Sequence, residues 1–287
     1  MKMGLSQLLS TLALLAPAPP AAAAPGAAGG PLLEEAAAQV LPADGYRSKV
    51  ALGESVVRLV RAGVIDRGKF AALYAQRGGV TGNLADLLAR PSPGPIRLTR
   101  QNAGLYVNLL WPIGLANRMA ANQASPLNGE QRHRFASTGG WTLGKHASGG
   151  NHFNTLSIVA LSAAQEALVV RVAHNSFRPC CNNSTFFQDC NHGSALLGLL
   201  ALGASQGLGE ADLYREALAF SAFWFPDNYV PTALAFKVVK GVEWRDVDAR
   251  TVMSAAFSSA NGWRANVARE LADRGLLPRQ DGSDCSA

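Results

Sequence analysis

Histidine is absent before residue 133 and after residue 192, and only four cysteines occur among 287 residues. Aromatic residues make up 7% and charged residues 16% of the chain. There is no HExxH, no CxxCH, no GxSxG elbow and no phosphate-cradling glycine loop, so four common routes to zinc, haem, ester and nucleotide chemistry are not signalled. Beyond the first residues no run approaches the roughly 20 apolar residues a spanning helix needs; Ser194 to Leu208 is the most apolar candidate, and it is too short. No internal repeat or sustained heptad is present.

The chain does contain, at its start, Met1-Lys2-Met3, an apolar run from Leu5 to Ala16 and then Pro-Ala-Pro-Pro-Ala-Ala-Ala-Ala. This layout predicts a signal peptide over 1–24, cleaved after an alanine between Ala21 and Ala24, and hence export to a periplasmic or extracellular space. Residues 25–44, rich in Ala, Pro and Gly, read as a linker. A helical domain is expected over 45–280, with a subdomain break at Pro91-Ser-Pro-Gly-Pro95 and a polar tail at 281–287.

Within that domain the 3.6-residue periodicity predicts an all-α array of about nine to ten short helices. They are expected at about Gly53–Ala62, from Asp66 to a stop at Gly78-Gly79, at Asn83–Ala89, and from Thr99 to Leu110, with Trp111-Pro112 as an interruption. A long irregular loop over Ala120–Asn154 holds Ser137-Thr-Gly-Gly140, Trp141 and the histidines His133, His146 and His152. Ser162-Ala-Ala-Gln165 is a capping box for a helix over Ala163–His174. Further helices are expected at Gly193–Ala204, Glu210–Trp224, Pro231–Lys240, Val247–Phe257 and Trp263–Arg274. The aromatics from Phe220 to Tyr229 read as core in preference to the wall of a substrate pocket.

Between the two central helices lies a loop that gathers three of the four cysteines: His174-Asn-Ser-Phe-Arg-Pro-Cys180-Cys181-Asn-Asn-Ser-Thr-Phe-Phe-Gln-Asp189-Cys190-Asn-His192. Soft sulfur beside imidazole is the donor set of zinc and copper sites, so Cys180, Cys181, Cys190, His192 and His174 are the candidate ligands and zinc or copper the candidate ion. Adjacent side chains in extended backbone point apart, so one of Cys180 and Cys181 is expected to ligate and the other to do something else.

Two other readings use the same residues. In a thiol hydrolase acting on peptide or cell-wall substrates, Asp189-Cys190 at the start of a helix would present the nucleophile, because helix-end amides favour a thiolate, and His146, His152 or His174 would serve as base. Asp-Cys, a small residue and an apolar helix resembles the exported cell-wall cysteine peptidases, with Asn191-His192 standing where those have Ser-Gly. In a non-enzymatic binding module, disulfides would brace the loop, for instance Cys181 to Cys190 and Cys180 to Cys285.

The net charge of +6 is concentrated in the N-terminal half, where Arg47, Lys49, Arg58, Arg61, Arg67, Lys69, Arg77, Arg90, Arg97 and Arg100 face Glu54, Asp66 and Asp86. This basic half could meet an anionic cell-wall polymer or membrane surface, or form a solvated face; without interleaved aromatics it is no nucleic-acid motif.

Overall fold

Gly114 and Gly198 let two buried helices touch backbone to backbone, and the rest of the protein is arranged around that crossing. A β-carbon on Gly114 would collide with the Ser194 carbonyl, and one on Gly198 with the Leu110 carbonyl. The computed structural model describes residues 29–76, 84–135 and 143–278. The expected signal peptide, the Gly78-Gly79 stop, Ser137 to Trp141, and Cys285 with its tail lie outside the described residues.

The architecture is mostly helical, 61% helix and 8% strand. Helix α1 (Gly30–Val40) is followed by strand β1 (Tyr46–Gly53), then α2 (Ser55–Arg61), α3 (Arg67–Gln76), α4 (Leu84–Ala89) and strand β2 (Ser92–Leu98). Then come α5 (Ala103–Ala116), α6 (Arg132–Phe135), α7 (Ala163–His174), α8 (Asn191–Ser205), α9 (Glu210–Trp224) and α10 (Pro226–Lys240). The chain closes with α11 (Ala249–Met253), α12 (Ala255–Ser258), α13 (Ala260–Trp263), a π-helical turn over Arg264–Ala268, and α14 (Arg269–Asp273).

The α5–α8 crossing is the most extensive helix pairing among the described residues. Along α8 every residue from Gly193 to Ala204 is buried, as an all-round apolar helix must be. Ser194 donates its hydroxyl to the Trp111 carbonyl at 3.0 Å, so this polar side chain in the crossing is satisfied. Helices α7 and α9 flank α8. The capping box on α7 forms, with Gln165 N 3.2 Å from the Ser162 hydroxyl and Ser162 N 2.9 Å from Gln165 Oε1.

The structure adds detail to the sequence reading at four places. Residues 30–40 are not linker: α1 buries Ala36 and Val40 and packs on α10. Residues 46–53 form a strand, with Ser48, Val50 and Leu52 inward and Arg47 and Lys49 outward, a two-residue alternation. Pro91 to Pro95 leads into a strand, since Ser92–Leu98 pairs antiparallel with β1, Tyr46 opposite Leu98 and Gly53 opposite Ser92. Proline is tolerated on such an edge, and the register shifts between the paired residues are where the ladder yields. Finally, α5 runs through Trp111-Pro112 without a stop.

Glu216 fastens the two-stranded hairpin to the helices. Its carboxylate is 1% exposed and accepts from Tyr46 Oη at 2.9 Å, Ser48 Oγ at 2.6 Å and Lys49 N at 2.8 Å. Much of the basic N-terminal half is tied internally: Lys49 pairs with Asp212, Arg58 with Glu54 and Arg90 with Asp86, while Arg97 and Arg100 donate to the carbonyls of Asp44 and Leu41. No helix among the described residues is long and apolar enough to cross a membrane.

Candidate metal centre

Between α7 and α8 the chain folds back on itself. Phe177 and Ser184 form an isolated antiparallel bridge, Thr185 N donates to Ser176 O at 2.8 Å, and the Ser176 hydroxyl donates to Val172 O at 2.9 Å. The C-terminal helices hold the outer side, where Phe177 N donates to Met253 O, Ala260 N to Cys181 O and Asn261 N to Asn182 Oδ1. A segment with little apolar content is thereby fixed through its backbone groups, each of which needs a partner once buried.

Arg178 lies at the centre and is 1% exposed. Its Nη1 donates to Asn183 O at 3.0 Å, its Nη2 to Phe187 O at 3.1 Å and to Asp189 Oδ1, and its Nε to Cys190 Sγ at 3.2 Å. A β-carbon on Gly193 would sit 2.5 Å from the guanidinium carbon, so glycine there makes room for the arginine. Asn183 Nδ2 donates to Asp189 Oδ2 at 2.6 Å. Both carboxylate oxygens of Asp189 are therefore occupied, and this residue serves Arg178.

Cys190 is the N-cap of α8, its sulfur accepting from Gly193 N at 3.4 Å. Cys180 Sγ lies 3.8 Å away. Cys180, Cys190 and His192 place one donor atom each within 4.8 Å of one another, and Cys181, Asp189 and Cys190 form a second group that shares the Cys190 sulfur. Since Asp189 is committed to Arg178 and Asn183, the first group is the better ligand set. Cys181 Sγ faces Asn183 O at 3.9 Å and is also in contact with Cys180 and Cys190. The His192 ring rests on Phe225, centroids 4.5 Å apart, and near Trp224 at 5.8 Å. Phe220, Phe223 and Tyr229 are buried core, whereas Trp224 and Phe225 are partly exposed beside this histidine.

The electrostatics separate the three thiols. Hydrogen bonds from Cys180 and Cys181 hold Cys190 far below the usual thiol range; His192 and the Arg178 charge act the same way, against the effect of burial. Donating to its neighbours pushes Cys180 up. Cys181 is also raised: its contact with Cys180 lowers it, but the contact with Cys190 and burial outweigh this. Burial works to lower the Arg178 pKa, yet the adjacent Cys190, Cys181 and Asp189 raise it. The cluster thus carries one preferred thiolate clamped by a permanent cation.

Other expected participants lie elsewhere. His174 ends α7 exposed, its ring on Phe186 at 4.3 Å, and belongs to neither donor group. His146 and His152 face each other at 5.0 Å, and His133 Nδ1 is 3.0 Å from Ser148 Oγ. Burial and the His146 charge lower the pKa of His152. The imidazole that reaches Cys190 is His192, downstream of it, and not an upstream base. Cys180, Cys181 and Cys190 are unbridged, so the expected Cys181–Cys190 bond is not formed, while the expected partner Cys285 lies outside the described residues. Sequence reasoning missed Arg178, Asn183 and Gly193; an arginine inside a cysteine loop was the available signal.

No family model matches the chain, and neither a curated protein nor a solved structure matches it.

Proposed function

We propose that this is an exported metal-binding protein that holds one zinc or copper ion on Cys180, Cys190 and His192. The observation that carries this reading is the 3.8 Å separation of the two sulfurs with the imidazole within 4.8 Å of both. Two thiolates each about 2.3 Å from a tetrahedral zinc lie roughly 3.8 Å apart, and a trigonal copper sets a similar span. The ligands thus stand close to coordinating distance before any ion arrives. Arg178 and Asp189 cancel in charge, so two thiolates with a divalent ion leave a neutral cluster, which favours its burial. Three protein ligands leave a position for water or substrate, the arrangement of a catalytic site; recruitment of Cys181 would close it into a structural or carrier site.

The test is elemental mass spectrometry of the reduced full chain prepared without chelator, beside His192→Ala. The expected result is close to one equivalent of zinc or copper in the parent and loss of the ion in the variant with helical content retained. A parent chain that binds no ion, or a variant with unchanged stoichiometry, discards this assignment. Export and a role for the exposed Arg47, Arg61 and Arg67 at an anionic wall polymer or membrane surface belong to the same reading. They predict secretion of the full chain and salt-sensitive sedimentation with anionic vesicles.

A further inference from the structure

We infer that Cys180 and Cys190 form a reversible dithiol–disulfide couple, open to small-molecule disulfides, whose oxidation withdraws two ligands from the metal site. The consequence for the metal rests on the function proposed above; the couple itself rests on the geometry of the thiols. Their sulfurs are 3.8 Å apart, so a bond of about 2.05 Å requires an approach of roughly 1.8 Å, within reach of side-chain rotation.

Access is one-sided. Cys180 is exposed, while Cys190 is half-buried at the head of α8. Cys181 is the rival partner for Cys190, but its backbone carbonyl accepts from Ala260 N at 2.9 Å and its sulfur faces Asn183 O. The Cys181 sulfur also lies within 4.8 Å of Cys190, so the preference for Cys180 rests on its exposure and on the anchoring of the Cys181 backbone by the C-terminal helices. Arg178 Nε, 3.2 Å from Cys190 Sγ, sets a buried cation beside the sulfur that attacks, the setting in which cysteines are reactive.

The exchange balances with a disulfide such as oxidised glutathione as the oxidant. Cys190 sulfur, as thiolate, attacks one sulfur of the oxidant, whose S–S bond breaks; the released thiolate takes up a proton and a mixed disulfide remains on Cys190. Cys180 then loses its proton to solvent and attacks the Cys190 sulfur, and the second small thiolate leaves and is protonated. Two cysteine thiols have been oxidised and one disulfide reduced to two thiols. A metal held by these sulfurs loses both, keeping only His192.

The experiment uses the full chain carrying Cys285→Ser, so that the tail thiol cannot compete. Reduced, metal-free protein is equilibrated with oxidised and reduced glutathione, alkylated, digested without reductant and mapped by mass spectrometry. A second sample, loaded with zinc, is treated with oxidised glutathione in the presence of a chromogenic chelator. The expected map shows one intramolecular Cys180–Cys190 link with Cys181 alkylated, reversed by dithiothreitol, and the loaded sample releases its zinc as the link forms. Cys181→Ser should leave the link intact and Cys180→Ser should abolish it. A link that contains Cys181, a lasting glutathione adduct on Cys190, or three thiols that remain alkylatable overturns the couple. Zinc binding without a link would keep the metal reading and discard the couple, whereas a Cys180–Cys190 link in a chain that binds no zinc would do the reverse.

Discussion

Arg178 uses four N–H groups to join the two ends of a polar loop, and no apolar residue could replace those bonds. The guanidinium fork reaches two carbonyls, a carboxylate and a sulfur together, a pattern a lysine point charge cannot reproduce. Gly193→Ala places a methyl group where the guanidinium carbon stands 2.5 Å away. Since the arginine is buried and tied on several sides, the clash has no easy relief. Chemical denaturation should show a loss of about 1–3 kcal/mol, the usual cost of overpacking a well-filled site. The pH dependence of the reduced, metal-free chain has a defined sign. Cys190 is held below its ordinary value of 9.0, so its contribution is full above that pH and is lost as pH falls toward the folded value. Cys180 and Cys181 are raised and act oppositely, disfavouring the folded state as pH rises above 9. Denaturation midpoints of the reduced, metal-free chain should therefore fall as pH is lowered below 9, and Arg178→Gln should flatten that fall by removing one cause of the Cys190 shift.

At the scale of elements, legibility tracked how local each signal was. Helices α7 and α9 have the bounds their periodicity and caps predict, because a capping box and an acidic first turn act within one helical turn. Strand β1 shows an equally local alternation, but Arg47 and Lys49 on its outer face also fit an exposed helix, and its stability comes from β2 and Glu216, both remote in sequence. Helix α5 passes Pro112 since burial on all sides against α8 outweighs the lost backbone bond. The cysteine loop and its Cys190–His192 pair were recognisable from composition and spacing, yet the placing of His174 outside both donor groups depends on the direction in which α7 and α8 leave the loop, which no spacing specifies. The glycine crossing was likewise invisible until both helices were placed. Gly114→Ala would drive a methyl group into the Ser194 carbonyl, one turn into the helix that Cys190 caps. It should cost at least the 1–3 kcal/mol of overpacking and, by shifting the start of α8, weaken metal uptake in an elemental assay. Ser162→Ala, on the other flank, should cost about 1 kcal/mol and leave metal stoichiometry unchanged.

For the whole molecule, the decisive feature is that its first described helix closes over its last part. Helix α1 lies on α10, with Val40 and Leu41 4% and 5% exposed. Its polar contacts to the same region, Lys237 with Glu35 and Gln39 with Glu243, are on the surface and contribute little. The burial of Val40 and Leu41 is the larger effect, on the order of 3–5 kcal/mol for two aliphatic side chains removed from water. A chain starting at residue 45 should therefore be less stable by about that amount than one starting at residue 29. Helix α10 in turn packs against the C-terminal helices whose amides hold Cys181 and Asn182. The loss should thus reach the cysteine loop, and zinc should recover part of it: an ion at 100 times its dissociation constant stabilises the folded state by about 2.7 kcal/mol. Thermal melts of both chains with zinc and with chelator separate the two effects. An equal zinc-dependent rise in midpoint would show that the metal site survives without α1, and a smaller rise in the shorter chain would show that α1 helps to position the ligands across the molecule.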